Sequence, residues 1–169
     1  MSAEFAAIVS APGFALGIRC DNDWLTEIVY LPPQPTRRAK LPLAMETARQ
    51  LQAYLADPNF AFSLPLQPAG TIFQRRVWSC ISAIPAGHTR SYGDLAKELH
   101  SAPRAVGQAC GANPFPLIIP CHRVVAASKG LNKGLGGFAH DTGGLLIDIK
   151  RWLLAHEAQA AKYEKSHVR

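Results

Sequence analysis

The chain reads as an α/β N-terminal domain over residues 1–63 joined to a mainly helical C-terminal domain over 71–157. Three observations predict this. Apolar residues alternate at period two in the first 32 residues, the segment 64–70 (Leu-Pro-Leu-Gln-Pro-Ala-Gly) carries the turn residues of a linker, and the apolar period becomes helical beyond it.

The elements follow in order. Phe14, Leu16, Ile18 and Cys20 alternate, Asp21-Asn22-Asp23 forms a turn, and 24–31 is rich in β-formers, so a hairpin is expected. Pro32, Pro33 and Pro35 end it. Ala44, Ala48, Leu51 and Leu55 lie on one side of a helix of about 14 residues, and 60–64 could be a last short strand. Past the linker, Thr71 is an N-cap for a helix with Phe73, Val77, Ile81 and Ile84 on one face, broadened by Trp78. Ser91 is a second N-cap with Asp94 three residues on, and Leu95 and Leu99 turned inward. Ser101 is a third, with Pro103 in the first turn and Val106 and Cys110 on one side. Two short helices so close in sequence predict a helix-turn-helix. A final helix spans 144–157 with Leu145, Ile149, Trp152 and Leu153 facing the core, followed by a flexible basic tail over 158–169.

Composition narrows the function classes. No apolar run approaches the ~20 residues of a membrane span, and the first residues lack the pattern of a secretion signal. A cytoplasmic, monomeric protein with no membrane partner is therefore expected. Four cysteines (Cys20, Cys80, Cys110, Cys121) show neither a CxxC nor a metal-ligand spacing, so reduced thiols are expected, with no metal and no cofactor. The net charge of +6 is uneven: residues 1–70 carry 5 basic and 6 acidic side chains, 71–157 carry 10 and 5, and 158–169 carry 3 and 1. A basic half beside a neutral half points to a polyanionic partner for the C-terminal part.

The chemistry concentrates in Pro120-Cys121-His122-Arg123-Val124-Val125, which follows the stiff run Pro116-Leu117-Ile118-Ile119. A thiol is a weak nucleophile until it loses its proton, and an adjacent imidazole favours that loss. Taken alone, a Cys-His pair is as compatible with a small buried hydrophobe as with a nucleophile. The helix 102–113 is unusual for a DNA-reading helix, because Ala102, Ala105, Gly107, Ala109, Gly111 and Ala112 leave Arg104 as its one charged side chain. Small residues allow close backbone approach, and from the residues alone a tight helix–helix contact competes with a nucleic-acid contact.

The stretch RAVGQACGANPFPLIIPCHRVV (104–125) resembles the O6-alkylguanine-DNA alkyltransferase family, also called methylated-DNA–protein-cysteine methyltransferases. The likeness extends upstream through Phe73-Gln74, Val77-Trp78, Ile84-Pro85-Ala86-Gly87 and Thr89-Arg90-Ser91-Tyr92-Gly93, and downstream through Arg151-Trp152-Leu153-Leu154-Ala155-His156-Glu157. It covers about residues 70–157. The resemblance implies an RNase H-like N-terminal domain and a winged-helix-like C-terminal motif. It also implies irreversible, single-turnover transfer of an alkyl group from O6-alkylguanine in double-stranded DNA to Cys121. His122 matches the base that deprotonates the thiol through a water, Glu157 the carboxylate that orients it, and Tyr92 the proton donor to the leaving guanine.

By the same resemblance, the helix bearing Ala102, Arg104, Ala105, Gly107, Gln108 and Gly111 lies in the minor groove. Arg104 matches the arginine that fills the place of an extruded base, and Asn113 matches the hinge between that helix and the cysteine segment. Cys110, Val124, Phe138 and Thr142 are candidate pocket residues. The pocket loop aligns in two ways, through Gly136-Gly137-Phe138-Ala139 or through Asp141-Thr142-Gly143-Gly144, and only the second offers a hydroxyl to guanine O6. The zinc site of some relatives is not expected, since Cys20 is the one N-terminal cysteine and no histidine precedes His88. A helix-turn-helix regulator, a cysteine hydrolase and a non-enzymatic sensor of alkylated DNA are the competing classes. The first leaves the Cys-His segment without a purpose.

Overall fold

The computed structural model describes residues 4–126 and 144–167, with side chains up to 159. The chain divides into two compact units, Met1–Pro68 and Ala69–Arg169, a boundary inside the expected linker.

The first unit is an antiparallel meander, β1 (Ala7–Ala11), β2 (Phe14–Cys20) and β3 (Leu25–Leu31), with β2 in the centre. A Pro12-Gly13 turn joins β1 to β2, and Gly13 has φ +82, the left-handed value that a type II turn requires at its second central residue. The expected turn at 21–23 is built by Asp21, whose Oδ1 accepts the backbone N–H groups of Asp23 and Trp24. Helix α1 (Pro42–Ala56) packs on β1 and β2 and buries Ala44, Leu51 and Tyr54.

The short strand expected over 60–64 does not form. Gln50 takes the place of a partner strand: its Nε2 donates to Ser63 O and its Oε1 accepts from Ser63 N, each at 2.9 Å. One side-chain amide thus satisfies the backbone groups that a ladder would otherwise need.

The second unit begins with α2 (Ile72–Ser82), closed by a reciprocal capping box between Thr71 and Gln74. A two-residue strand β4 (Arg90–Ser91) leads into α3 (Tyr92–Glu98), which has its own box between Ser91 and Asp94. Helix α4 (Pro103–Gly111) packs on α3, as a helix-turn-helix requires. Its N-cap is Ala102 rather than the expected Ser101. Pro103 occupies N1 and forces the residue before it into extended backbone, so the helix boundary moves one position on.

After α4 the chain reaches a 3-10 turn, η1 (Cys121–Arg123), and a second two-residue strand β5 (Val124–Val125), parallel to β4. One core joins these elements through Val77, Trp78, Ile81, Leu95, Val106 and Val124, with Cys121 at its margin. Trp78 Nε1 donates to Ala109 O at 2.8 Å and fastens α2 to α4.

The last helix, α5, runs Gly144–His167. The tail expected to be flexible from 158 continues this helix, because Ala, Gln, Lys and Glu dominate there and are strong helix formers. Glu157 therefore stands within the helix and not near its end. The buried face carries Ile149, Lys150, Leu153 and Glu157, while Leu145 and Trp152, expected inside, are half-buried. Trp152 stacks on His156 at a centroid distance of 4.8 Å. No described helix is long and apolar enough to cross a membrane.

Candidate active site

The β4–β5 pairing builds the site. Arg90 pairs with Val124 and Ser91 with Val125, so Tyr92, the first residue of α3, is delivered beside the segment that carries Cys121.

The approach to Cys121 is constrained. Leu117 has φ +74, a left-handed conformation costly for a branched side chain, and is 2% exposed. Burial of its side chain supplies the compensation. Asn113 then ties the end of α4 to the cysteine. Its Nδ2 donates to Ile119 O at 2.9 Å and to Cys121 Sγ at 3.2 Å, while its Oδ1 accepts from Phe115 N. One side chain thus holds both ends of the loop and contacts the nucleophile candidate.

His122 and Glu157 form a buried pair, with Nε2 of His122 2.6 Å from Oε1 of Glu157. Arg123 closes the carboxylate from the other side: its Nε reaches Oε2 at 2.9 Å, a second nitrogen reaches Oε1 at 2.9 Å, and a third donates to Ile84 O at 2.6 Å. Burial pushes the Glu157 carboxyl up, but its bonds from His122 and Arg123 outweigh that and hold it at about 2. Burial lowers His122, against the opposing pull of Glu157.

The protonation states follow. With Glu157 ionised and His122 neutral, Nε2 carries the hydrogen and donates to the carboxylate. The lone pair is left on Nδ1, a buried atom with no partner. A neutral histidine oriented by a carboxylate, next in sequence to a buried cysteine, is an arrangement that can serve as general base and nucleophile.

Cys121 is 4% exposed. The neighbouring Cys110, together with burial, pushes the Cys121 thiol up; the Asn113 N–H and the Lys150 ammonium act in the opposite direction. The nearness of Cys121 lowers Cys110. Burial, then the charges of the two cysteines, pushes the Tyr92 hydroxyl up, so it stays protonated and able to donate.

Cys121, His122, Glu157, Tyr92, Asn113 and Cys110 therefore converge. Val124 is fully buried in the core beside them. Phe138 and Thr142 lie outside the described residues, as do both alignments of the pocket loop up to Gly143. On α4, Ala102, Arg104 and Gln108 are exposed, Ala105, Gly107 and Gly111 are partly so, and Val106 and Ala109 turn inward. The small-residue face of this helix is thus open, and its close helix–helix contact is made by the opposite face. Among the described residues, no three His, Cys, Asp or Glu side chains converge as a metal site would need.

Lys150 escaped the sequence reading. It is fully buried, its Nζ donates to Val124 O at 2.8 Å, and it sits 5.8 Å from the centroid of the Tyr92 ring. The signal was present: positions 150, 153 and 157 share one helical face, so a lysine in step with Leu153 points inward.

Residues 72–159 match the family model of the 6-O-methylguanine DNA methyltransferase DNA-binding domain. The chain is 35% identical to the methylated-DNA–protein-cysteine methyltransferase of Methanosarcina mazei over 92% of its own length and 98% of the relative's. It is 43% identical to the constitutive enzyme of that name from Bacillus subtilis, over 72% of this chain and 70% of the relative. The Mycobacterium tuberculosis protein OGT, crystallised with DNA, superposes with a TM-score of 0.73 at 36% identity, covering 90% of this chain and 92% of that one. The fold of a small sheet with helices and a buried Cys-His-Glu site is that of a DNA-repair methyltransferase. The chain belongs to the methylated-DNA–protein-cysteine methyltransferase family.

Proposed function

We propose that this protein reverses O6-alkylguanine damage in double-stranded DNA by irreversible alkyl transfer to Cys121. His122 Nδ1 takes the thiol proton through a bridging water, and Glu157 stabilises the imidazolium that forms. The Cys121 sulfur attacks the alkyl carbon, an S–C bond forms and the C–O6 bond breaks. Tyr92 supplies a hydrogen bond to the departing guanine. The thioether cannot revert, so each molecule acts once and no cofactor takes part.

The lesion reaches the site by extrusion from the duplex. The open face of α4, with Ala102, Ala105, Gly107, Gln108 and Gly111, enters the minor groove, and Arg104 occupies the vacated place in the stack. Asn113 acts as the hinge between this helix and the cysteine. Cys110, Val124, Phe138 and Thr142 contribute to the base pocket. In the same reading the meander with α1 belongs to an RNase H-like domain, and α3–α4 with the β4–β5 pair to a winged-helix-like one. The protein acts as a monomer in the cytoplasm.

The observation that carries this reading is the convergence of Cys121 with the Asn113 N–H and the oriented His122–Glu157 pair. Its test is intact mass after incubation with O6-methylguanine duplex. A gain of about 14 Da per molecule, mapping to Cys121, is expected, since a consumed nucleophile permits one event. Cys121→Ser should bind DNA and gain nothing. Modification at Cys20, Cys80 or Cys110, or repeated turnover, would overturn it.

A further inference from the structure

We propose that Cys110 and Cys121 form a reversible disulfide when a hydroperoxide reaches the site, so that the acceptor sulfur is set aside in a recoverable bond across the end of α4. The consequence for repair rests on the reading of Cys121 as the alkyl acceptor, whereas the bond itself does not.

The fold brings the two cysteines to one place. Cys110 lies one turn after Val106 on the same face of α4, and Val106 is fully buried in the core cluster that contains Cys121. Cys110 packs against that cluster as a half-buried side chain, as do Tyr92 and Ile119. Asn113 fastens both cysteines. Its backbone N–H donates to Cys110 O at 3.2 Å, and its Nδ2 donates to Cys121 Sγ at 3.2 Å.

Bringing the ends of a flexible loop together costs free energy that rises with its length. Here the closure is already made. Asn113 Oδ1 accepts from Phe115 N, Phe115 O accepts from Ile119 N, and Ile119 O accepts from both Asn113 Nδ2 and Cys121 N. Pro114, Pro116 and Pro120 stiffen the same stretch. A bond between the two sulfurs has little further chain entropy to remove.

The four cysteines also differ in reactivity. Burial, then a neighbouring carboxylate, pushes up Cys20 beside Asp21 and Cys80 beside Glu98. The nearness of Cys121 lowers Cys110 against the opposing effect of burial. Cys110 is also more accessible than Cys121. A thiol that ionises more readily and is open to a small oxidant reacts first. Its thiolate attacks hydrogen peroxide, the O–O bond breaks, and Cys110 becomes a sulfenic acid. Hydroxide leaves and takes up the proton shed on ionisation. The Cys121 sulfur then attacks the Cys110 sulfur, an S–S bond forms, and the S–O bond breaks. The Cys121 proton departs with that hydroxyl as water. Two thiols are oxidised, and one peroxide is reduced to two waters. A thiol reductant restores both cysteines from the disulfide, whereas a sulfinic acid stays lost.

The test uses the full chain, with hydrogen peroxide as the probe. Non-reducing digestion after brief treatment should yield a linked Cys110–Cys121 peptide, and intact mass should fall by about 2 Da. The treated protein should gain no methyl group from O6-methylguanine duplex until dithiothreitol is added, and should then regain most of its untreated level. Cys110→Ser removes the partner. At the same dose it should carry sulfinic Cys121, a gain of about 32 Da, and dithiothreitol should not bring it back to its own untreated level. A parent in which Cys121 turns sulfinic while Cys110 stays a free thiol would overturn the proposal, as would equal recovery of parent and variant. If Cys110→Ser does not fold, the linked peptide in the parent decides alone, and its absence overturns the idea. A protein that forms the linked peptide but gains no methyl group even when reduced keeps the disulfide and loses the proposed function, so the two failures are distinguishable.

Discussion

His122 uses its two nitrogens differently, and the difference sets a pH signature. Nε2–H is committed to Glu157, and Nδ1 alone can accept a proton. Because burial lowers the histidine, its neutral form persists through the range where an exposed imidazole, with an ordinary value of 6.5, would already be charging. The transfer rate should therefore not fall as pH drops through that value, and should decline only at more acid pH. Single-turnover rates across pH 5–8, a window of about three units around the usual histidine value, would show this. Replacing His122 by Gln should slow transfer by about 10²–10⁴-fold with little change in DNA affinity.

Glu157 makes a complementary stability prediction. Its carboxyl is depressed in the folded state, so its contribution is complete above its ordinary value of 4.5 and is lost as pH falls from there toward 2. Glu157→Ala leaves Arg123 and His122 facing a buried void and should cost about 3–5 kcal/mol. Thermal melts at neutral pH and in acid would show a large difference between parent and variant that narrows as pH falls.

Among the elements, α4 carries the sharpest functional test. Arg104 is exposed in its first turn, and Asn113, just past the end of the same helix, bonds to Ile119 O and Cys121 Sγ. Arg104→Ala should impair repair of duplex DNA much more than reaction with free O6-benzylguanine, which needs no extrusion. Equal losses on both substrates would assign Arg104 to the pocket or to folding.

The element scale also shows where sequence reading succeeds. Thr71 and Ser91 announce their helices because a hydroxyl cap and a partner three residues on form a local, self-contained device. Ser101 misleads because Pro103 imposes a stronger rule on the residue before it. The segment 60–64 has the composition of a strand, yet its partner is a glutamine side chain on α1, which no periodicity reveals. Cys121 and His122 were legible because a short motif carries them, whereas Glu157 was legible only through the family resemblance, since by itself it reads as a surface charge. Lys150 was not, since a lysine reads as solvent-facing until the helix is known to present Leu153 and Glu157 on the same buried side. The left-handed Leu117 leaves no trace in composition at all.

For the molecule as a whole, charge decides how DNA is met. The basic excess lies in residues 71–157, and the open face of α4 offers few long polar groups for base edges. Affinity for undamaged duplex should depend strongly on salt and weakly on sequence. Log–log salt titrations on unrelated duplexes should give similar, clearly negative slopes. A preference beyond about a thousandfold for one undamaged sequence would favour a regulator instead.

The meander of the first unit has a further consequence for behaviour at high concentration. On the outer side of β1, Ile8 exchanges both of its backbone hydrogen bonds with Arg37, and Ser10 N donates to Thr36 Oγ1. On β3, Leu25 is bonded to Pro65 and Gln67. A sheet border whose donors are already engaged by the protein's own loop is a poor template for a strand from another molecule. Loosening the 36–37 segment should thus open a route to intermolecular β-pairing, and Thr36→Gly/Arg37→Gly should aggregate faster than the parent under agitation while its second unit still reacts.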